Sequence, residues 1–106
     1  MPHVLRFTED AQEALNQLVK GGRATEAKLK KVRKALAFLQ QDPRYPGLNS
    51  HEYENFPGRT HDKVWDSYVE NHVPSAWRVY WMYGPDETVD GQELAVITVL
   101  AIRPHL

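Results

Sequence analysis

Two periodicities divide the chain. From Lys63 to Gly84, apolar and polar side chains alternate through VWDSYVE and again through AWRVYWMY, with the short polar connection NHVPS between them. Alternation at period two in segments dense in Val, Trp and Tyr predicts a β-hairpin. A second β-rich run, ELAVITVLAIRP, covers Glu93 to Pro104, and HVLRF, His3 to Phe7, predicts an opening strand. Between these the period lengthens to that of a helix. Ala11, Leu15, Leu18 and Val19 make one apolar stripe, which Gly21-Gly22 stops. Thr8 can cap the free amides at its start, and Glu9 and Asp10 oppose the helix dipole. Leu29, Val32, Leu36 and Leu39, widened by Ala35 and Phe38, make a second helix from Thr25 onward. Asp42-Pro43 ends it, because proline disfavours helix in the residue before it.

The expected order is β-α-α-β-β-β. It implies an α+β domain over residues 1–106 in two layers, with an antiparallel-rich sheet of about four strands packed on an αα-hairpin. The opening strand is separated from the others by both helices, so it is expected to pair with one of the later strands. Along WRVYWMY, alternation sets Trp77, Val79, Trp81 and Tyr83 on one face and Arg78, Tyr80 and Met82 on the other. If the tryptophan face covers the helices, Arg78 points outward. Trp65, Trp77 and Trp81 are then core residues. The stretch DPRYPGLNSHEYENFPGRTHD, Asp42 to Asp62, is broken by prolines and glycines and predicts a long loop. It holds His51, Glu52, Tyr53, Glu54 and His61. Asp90-Gly91 predicts an exposed hairpin turn.

Length and composition narrow the class. A chain of 106 residues with 42% hydrophobic and 25% charged residues suits one globular domain. No apolar run is long enough to span a bilayer, and the first residues lack the basic and apolar regions of a signal peptide, so the expectation is a cytoplasmic protein without a membrane partner. With no cysteine there is neither disulfide nor thiolate chemistry. The net charge of −1 conceals an uneven distribution. Lys20 to Lys34 carries seven bases against Glu26 alone, whereas Glu52 to Glu93 carries nine acids against Arg59, Lys63 and Arg78. One face can therefore attract an anionic partner, with Lys30, Lys31, Arg33 and Lys34 as its cations.

Arg78 is the first candidate for chemistry. A guanidinium held on a strand, with Tyr80 two residues on, is suited to gripping a phosphate, and its alternative role is an ion pair with a cross-strand Asp or Glu. His51, His61 and His72, with Glu52 and Asp62, offer zinc-type ligands. Their spacing matches no metal motif, so no metal or cofactor is assigned.

AWRVYW, together with the order of elements and the ending AIRPHL, resembles the RelE/ParE toxin superfamily of bacterial type II toxin-antitoxin systems. The resemblance covers nearly all of the chain. It sets Arg78 on the catalytic arginine of the ribonuclease branches, and Arg103 and His105 on the arginine and histidine that close the YoeB-like branch. What it implies is ribosome-dependent, metal-independent cleavage of messenger RNA by attack of the 2′-hydroxyl on the adjacent phosphate. Arg78 and Arg103 would hold the phosphate, and His105 would be the acid. Glu70, or Glu52 or Glu54, would be the base. Family ribonucleases commonly close with a base-stacking tyrosine where this chain has Leu106, which leaves Tyr80 or Tyr68 for that role. The implied partners are the ribosome with its mRNA and a cognate antitoxin, with a homodimer left open. A ParE-like toxin acting on DNA gyrase, or a RelE-fold binding protein without catalysis, is the alternative.

Overall fold

The computed structural model describes residues 2–106. The opening strand β1, Val4–Phe7, leads through the Thr8 cap into α1, Glu9–Lys20. The Thr8 hydroxyl oxygen accepts from the Ala11 amide at 3.2 Å, and the same hydroxyl donates to the Leu100 carbonyl at 2.8 Å. One side chain thus satisfies a free helix amide and fastens the helix start to the far end of the chain. A single 3-10 turn, Gly22–Ala24, connects to α2, Glu26–Gln41, which stops at Asp42 as the proline predicts. Ala11 and Leu18 are buried as the α1 stripe requires, but Val19 lies at its edge and is exposed.

The long loop is shorter than expected. It contains a 3-10 turn, Pro46–Leu48, and a three-residue strand β2, His51–Tyr53. β2 pairs antiparallel with β3, Val64–Tyr68, and β3 pairs antiparallel with β4, Trp77–Tyr83, giving the expected hairpin. A small separate hairpin follows, β5 Glu87–Val89 and β6 Gln92–Leu94. Its Asp90-Gly91 corner has φ of 50° and 80°, the left-handed pair that a two-residue turn demands. The expected run from Glu93 is therefore split, and the last strand, β7, spans Val96–Pro104.

The main sheet has five strands in the order β1-β7-β4-β3-β2. β1 joins β7 in parallel, and the other pairings are antiparallel. Both helices cover one face. Leu18, Val32, Leu36 and Leu39 meet Val79, Trp81, Ile97, Val99 and Ile102 there, with Trp65 and Trp77 packed against them. The opposite face has no helix. A smaller apolar group of Val64, Tyr80 and Leu100, flanked by Tyr53, Phe56 and Met82, covers part of it.

A β-bulge decides which residues reach that second face. Tyr80 opposes Ala101 but Trp81 opposes Val99, so Leu100 is an extra residue on β7. Strict alternation from Ile97 and Val99 would turn Arg103 toward the helices. The inserted residue inverts the phase, so that Ile102 enters the core opposite Val79 and Arg103 stands opposite Arg78 on the helix-free face.

Candidate active site

The helix-free face carries two adjacent rows of side chains. His51, Asp66, Tyr80 and Ala101 are successive cross-strand partners on β2, β3, β4 and β7, and Tyr68, Arg78 and Arg103 form the next row on β3, β4 and β7. Beyond β7 the His105 amide donates to the Ala76 carbonyl at 2.9 Å, which brings the chain back beside β4. The Leu106 amide donates to the Tyr80 hydroxyl at 2.8 Å. Those two bonds fix the backbone on either side of the His105 imidazole.

Asp66 is the hub. Its side chain is wholly buried in the middle of the cluster. Arg78 Nη1 donates to Oδ1 at 3.4 Å, His51 Nε2 lies 3.4 Å from Oδ2 and His105 Nε2 lies 3.8 Å from the same Oδ2. The guanidinium also lies over the Tyr68 ring, with its carbon 3.8 Å from the ring centre. The His51 ring meets Tyr68 edge-on at 6.2 Å.

These polar groups are unevenly satisfied. Among the described residues, Asp66 Oδ2 and Arg78 Nε are buried without a hydrogen-bond partner, as are His3 Nδ1 and Trp65 Nε1. Buried polar atoms are normally hydrogen-bonded, and each exception calls for a ligand, a reaction or a water to account for it. Meanwhile the two imidazoles are half-exposed, at 47% and 43% of their side-chain surface, at the rim of a buried charge. His51 Nδ1 lies 3.0 Å from the Asn49 carbonyl oxygen. A carbonyl only accepts, so Nδ1 carries a proton, and Nε2 is the atom that faces the Asp66 carboxylate.

Of the residues expected from sequence, Arg78 and His105 are brought together through Asp66, and Arg103 joins them by register. Arg103 is exposed, and its Nε donates to the Pro104 carbonyl at 3.0 Å. Tyr80 is fully buried under the site, which leaves no ring face for a base, so the aromatic bordering Arg78 is Tyr68. Burial drives the Tyr80 phenol above its ordinary pKa, with Asp66 and Tyr53 adding to the rise and the Leu106 hydrogen bond and Arg78 opposing it. Tyr80 is thereby kept as a neutral tether.

Glu70 has a different set of partners. Its Oε1 accepts from Lys28 at 2.5 Å and from the Trp77 amide at 3.1 Å, and Lys31 lies 3.5 Å from Oε2. Burial pushes its carboxyl up, but the hydrogen bonds from Lys28 and the Trp77 backbone, with the charges beside them, outweigh that and hold it below the usual carboxylate range. It ties α2 to the sheet. Glu52 is exposed and 3.8 Å from Lys63, and Glu54 is exposed. Lys30 and Arg33 are exposed on α2, whereas Lys31 and Lys34 line a cleft that Tyr68 also borders.

Two members of the cluster were not assigned from sequence. Asp66 is the single acid in VWDSY, inside an otherwise apolar and aromatic strand, which is the one mark that could have found it. His51 was weighed only as a metal ligand. Among the described residues, no three or more His, Cys, Asp or Glu side chains are grouped to hold a metal ion, and no helix is long and apolar enough to cross a membrane. No protein-family model matches the chain, and no curated protein matches it.

Proposed function

We propose that the chain is an RNA endonuclease that cleaves by attack of the 2′-hydroxyl, acting as the toxin of a type II toxin-antitoxin pair in the manner of the RelE-like ribonucleases it resembles. The observation that carries this is the approach of Arg78 and His105 to one carboxylate, Asp66, on a face that no helix covers. Transesterification needs a base for the 2′-hydroxyl proton, cations for the phosphorane oxygens and an acid for the 5′ oxygen. In this assignment His51 takes the proton as the 2′ oxygen bonds to phosphorus. His105 gives a proton to the 5′ oxygen as its bond to phosphorus breaks, leaving a 2′,3′-cyclic phosphate and a 5′-hydroxyl. Arg78 and Arg103 hold the phosphate. Asp66 holds Arg78 in place and stands beside both imidazoles.

His51 replaces Glu70 as the base in this proposal because Lys28 and Lys31 already occupy the Glu70 carboxylate. The gyrase-directed alternative calls for no guanidinium and imidazole at a common carboxylate, so it draws no support from this cluster. The test is inducible expression with mapping of transcript ends. Wild type should arrest growth and produce cleaved messages within coding regions, whereas Arg78→Lys and His105→Gln should do neither while folding normally. Growth arrest with intact messages and halted DNA replication would replace the ribonuclease by the gyrase-directed toxin.

A further inference from the structure

Beside the cluster, a cleft of about 410 Å³ opens between α2 and the turn that joins β3 to β4. Its walls include Lys31, Lys34, Phe38 and Tyr45, with Tyr68 and Val73 across from them. Pockets of this size hold small ligands of nucleotide dimensions.

The wall is built for a flat aromatic guest. The Phe38 and Tyr45 rings stack with centres 4.2 Å apart and planes within 6°, which fixes Tyr45 although 40% of it is exposed. Gly47 makes room for that ring, since a Cβ there would stand 2.5 Å from it. The cleft also has a place for negative charge. Lys34 sits over the Phe38 ring, its ammonium 5.9 Å from the centre, and pairs with no carboxylate among the described residues. The lining acid, Glu70, is already bonded by Lys28 and the Trp77 amide, so its repulsion of an anion is much reduced.

Continuity with the cluster is the second observation. Tyr68 borders the cleft and also lies under the Arg78 guanidinium. At Tyr68 the β3 edge is not covered by β2, so an RNA strand with its phosphate at Arg78 reaches the cleft by rounding that edge.

We infer that the cleft binds one nucleotide of the RNA adjacent to the cut, stacking its base on the Tyr45 side and pairing its phosphate with Lys34, and so selects where the chain is cleaved. The inference rests on the ribonuclease reading for the source of the nucleotide, and on the cleft alone for the ligand's chemistry. Base stacking on an aromatic and a cation for the phosphate are the two contacts by which single-stranded RNA is held.

The experiment follows the amide spectrum of the full-length chain during titration with adenosine, guanosine, cytidine and uridine 5′-monophosphates and, separately, inorganic phosphate. At least one nucleotide should give saturable shifts at Lys34, Tyr45, Tyr68 and Val73, and inorganic phosphate should bind there at least about tenfold more weakly. Val73→Trp fills the cleft from an exposed position without touching the core, and should weaken nucleotide binding about tenfold or more, as should Lys34→Glu. His105→Gln should bind in the cleft like wild type. Shifts confined to the Arg78 and His105 region, or unaltered binding by Val73→Trp, would overturn the inference. Nucleotide binding in the cleft of a protein that never cleaves RNA would sustain the nucleotide site and remove the ribonuclease.

Discussion

Arg78 and Asp66 form an ion pair across β3 and β4 in which the aspartate is fully enclosed and the arginine side chain is 11% exposed, with Nη1 3.4 Å from Oδ1. Removing one partner of such a pair strands the other charge out of water. Arg78→Ala should therefore destabilise the fold by about 3 kcal/mol in urea unfolding. The double variant with Asp66→Ala should recover a large part of that loss. A double variant no more stable than Arg78→Ala alone would mean that the pair is solvated. For activity, Arg78→Lys is the cleaner substitution, because it keeps the charge and removes only the planar fork.

The two imidazoles have opposite tasks in the proposed reaction, and pH separates them. A base must begin neutral and an acid must begin protonated, so cleavage plotted against pH should rise and then fall. His51→Gln should abolish the rising limb and His105→Gln the falling limb, each with a rate loss of roughly 100-fold or more. Identical effects of the two variants on both limbs would overturn this division of roles. Single-turnover rates on a short RNA across pH 5 to 9 decide between these outcomes.

Tyr80 holds the chain beyond β7 through the Leu106 amide, directly after His105. Tyr80→Phe keeps the ring and deletes the acceptor. It should cost about 1 kcal/mol of stability, and it should reduce cleavage severalfold by letting His105 swing, though no reacting group has been removed. Hydrogen exchange at Leu106 is the direct check, and unchanged protection would refute the tether.

Glu70 links acid stability to the joint between α2 and the sheet. Its folded carboxyl lies below the ordinary value, so the unfolded chain binds the proton more readily. The stabilisation is then complete above the unfolded pKa, near 4.3 for a free glutamate, and is lost as pH falls through the lower folded value. Urea midpoints measured from pH 7 down to pH 3 should drop in wild type and drop less in Glu70→Gln. Parallel curves would show that the contact with Lys28 contributes nothing.

The strongest periodic patterns were legible as elements. The tryptophan face of β4, the two stripes of α1 and α2 and the Asp90-Gly91 corner all follow from spacing and turn chemistry. β2 escaped because three residues among prolines and glycines carry too short an alternation to register, and its strand character comes from pairing with β3. The site was half legible for the same reason. Arg78 stands out on a patterned strand, but Asp66 and His51 gain their meaning only when β2 and β3 lie side by side. The outward aim of Arg103 depends on one unpatterned insertion, Leu100, whose displacement of the register no local count reveals.

Because β7 lies between β1 and β4, the last of the described strands in chain order is an interior one. Without β7, β1 has no neighbour among the described strands, and the hairpin of β3 and β4 lacks one whole edge. The row Tyr68, Arg78 and Arg103 is therefore complete only once β7 has entered the sheet between its two partners.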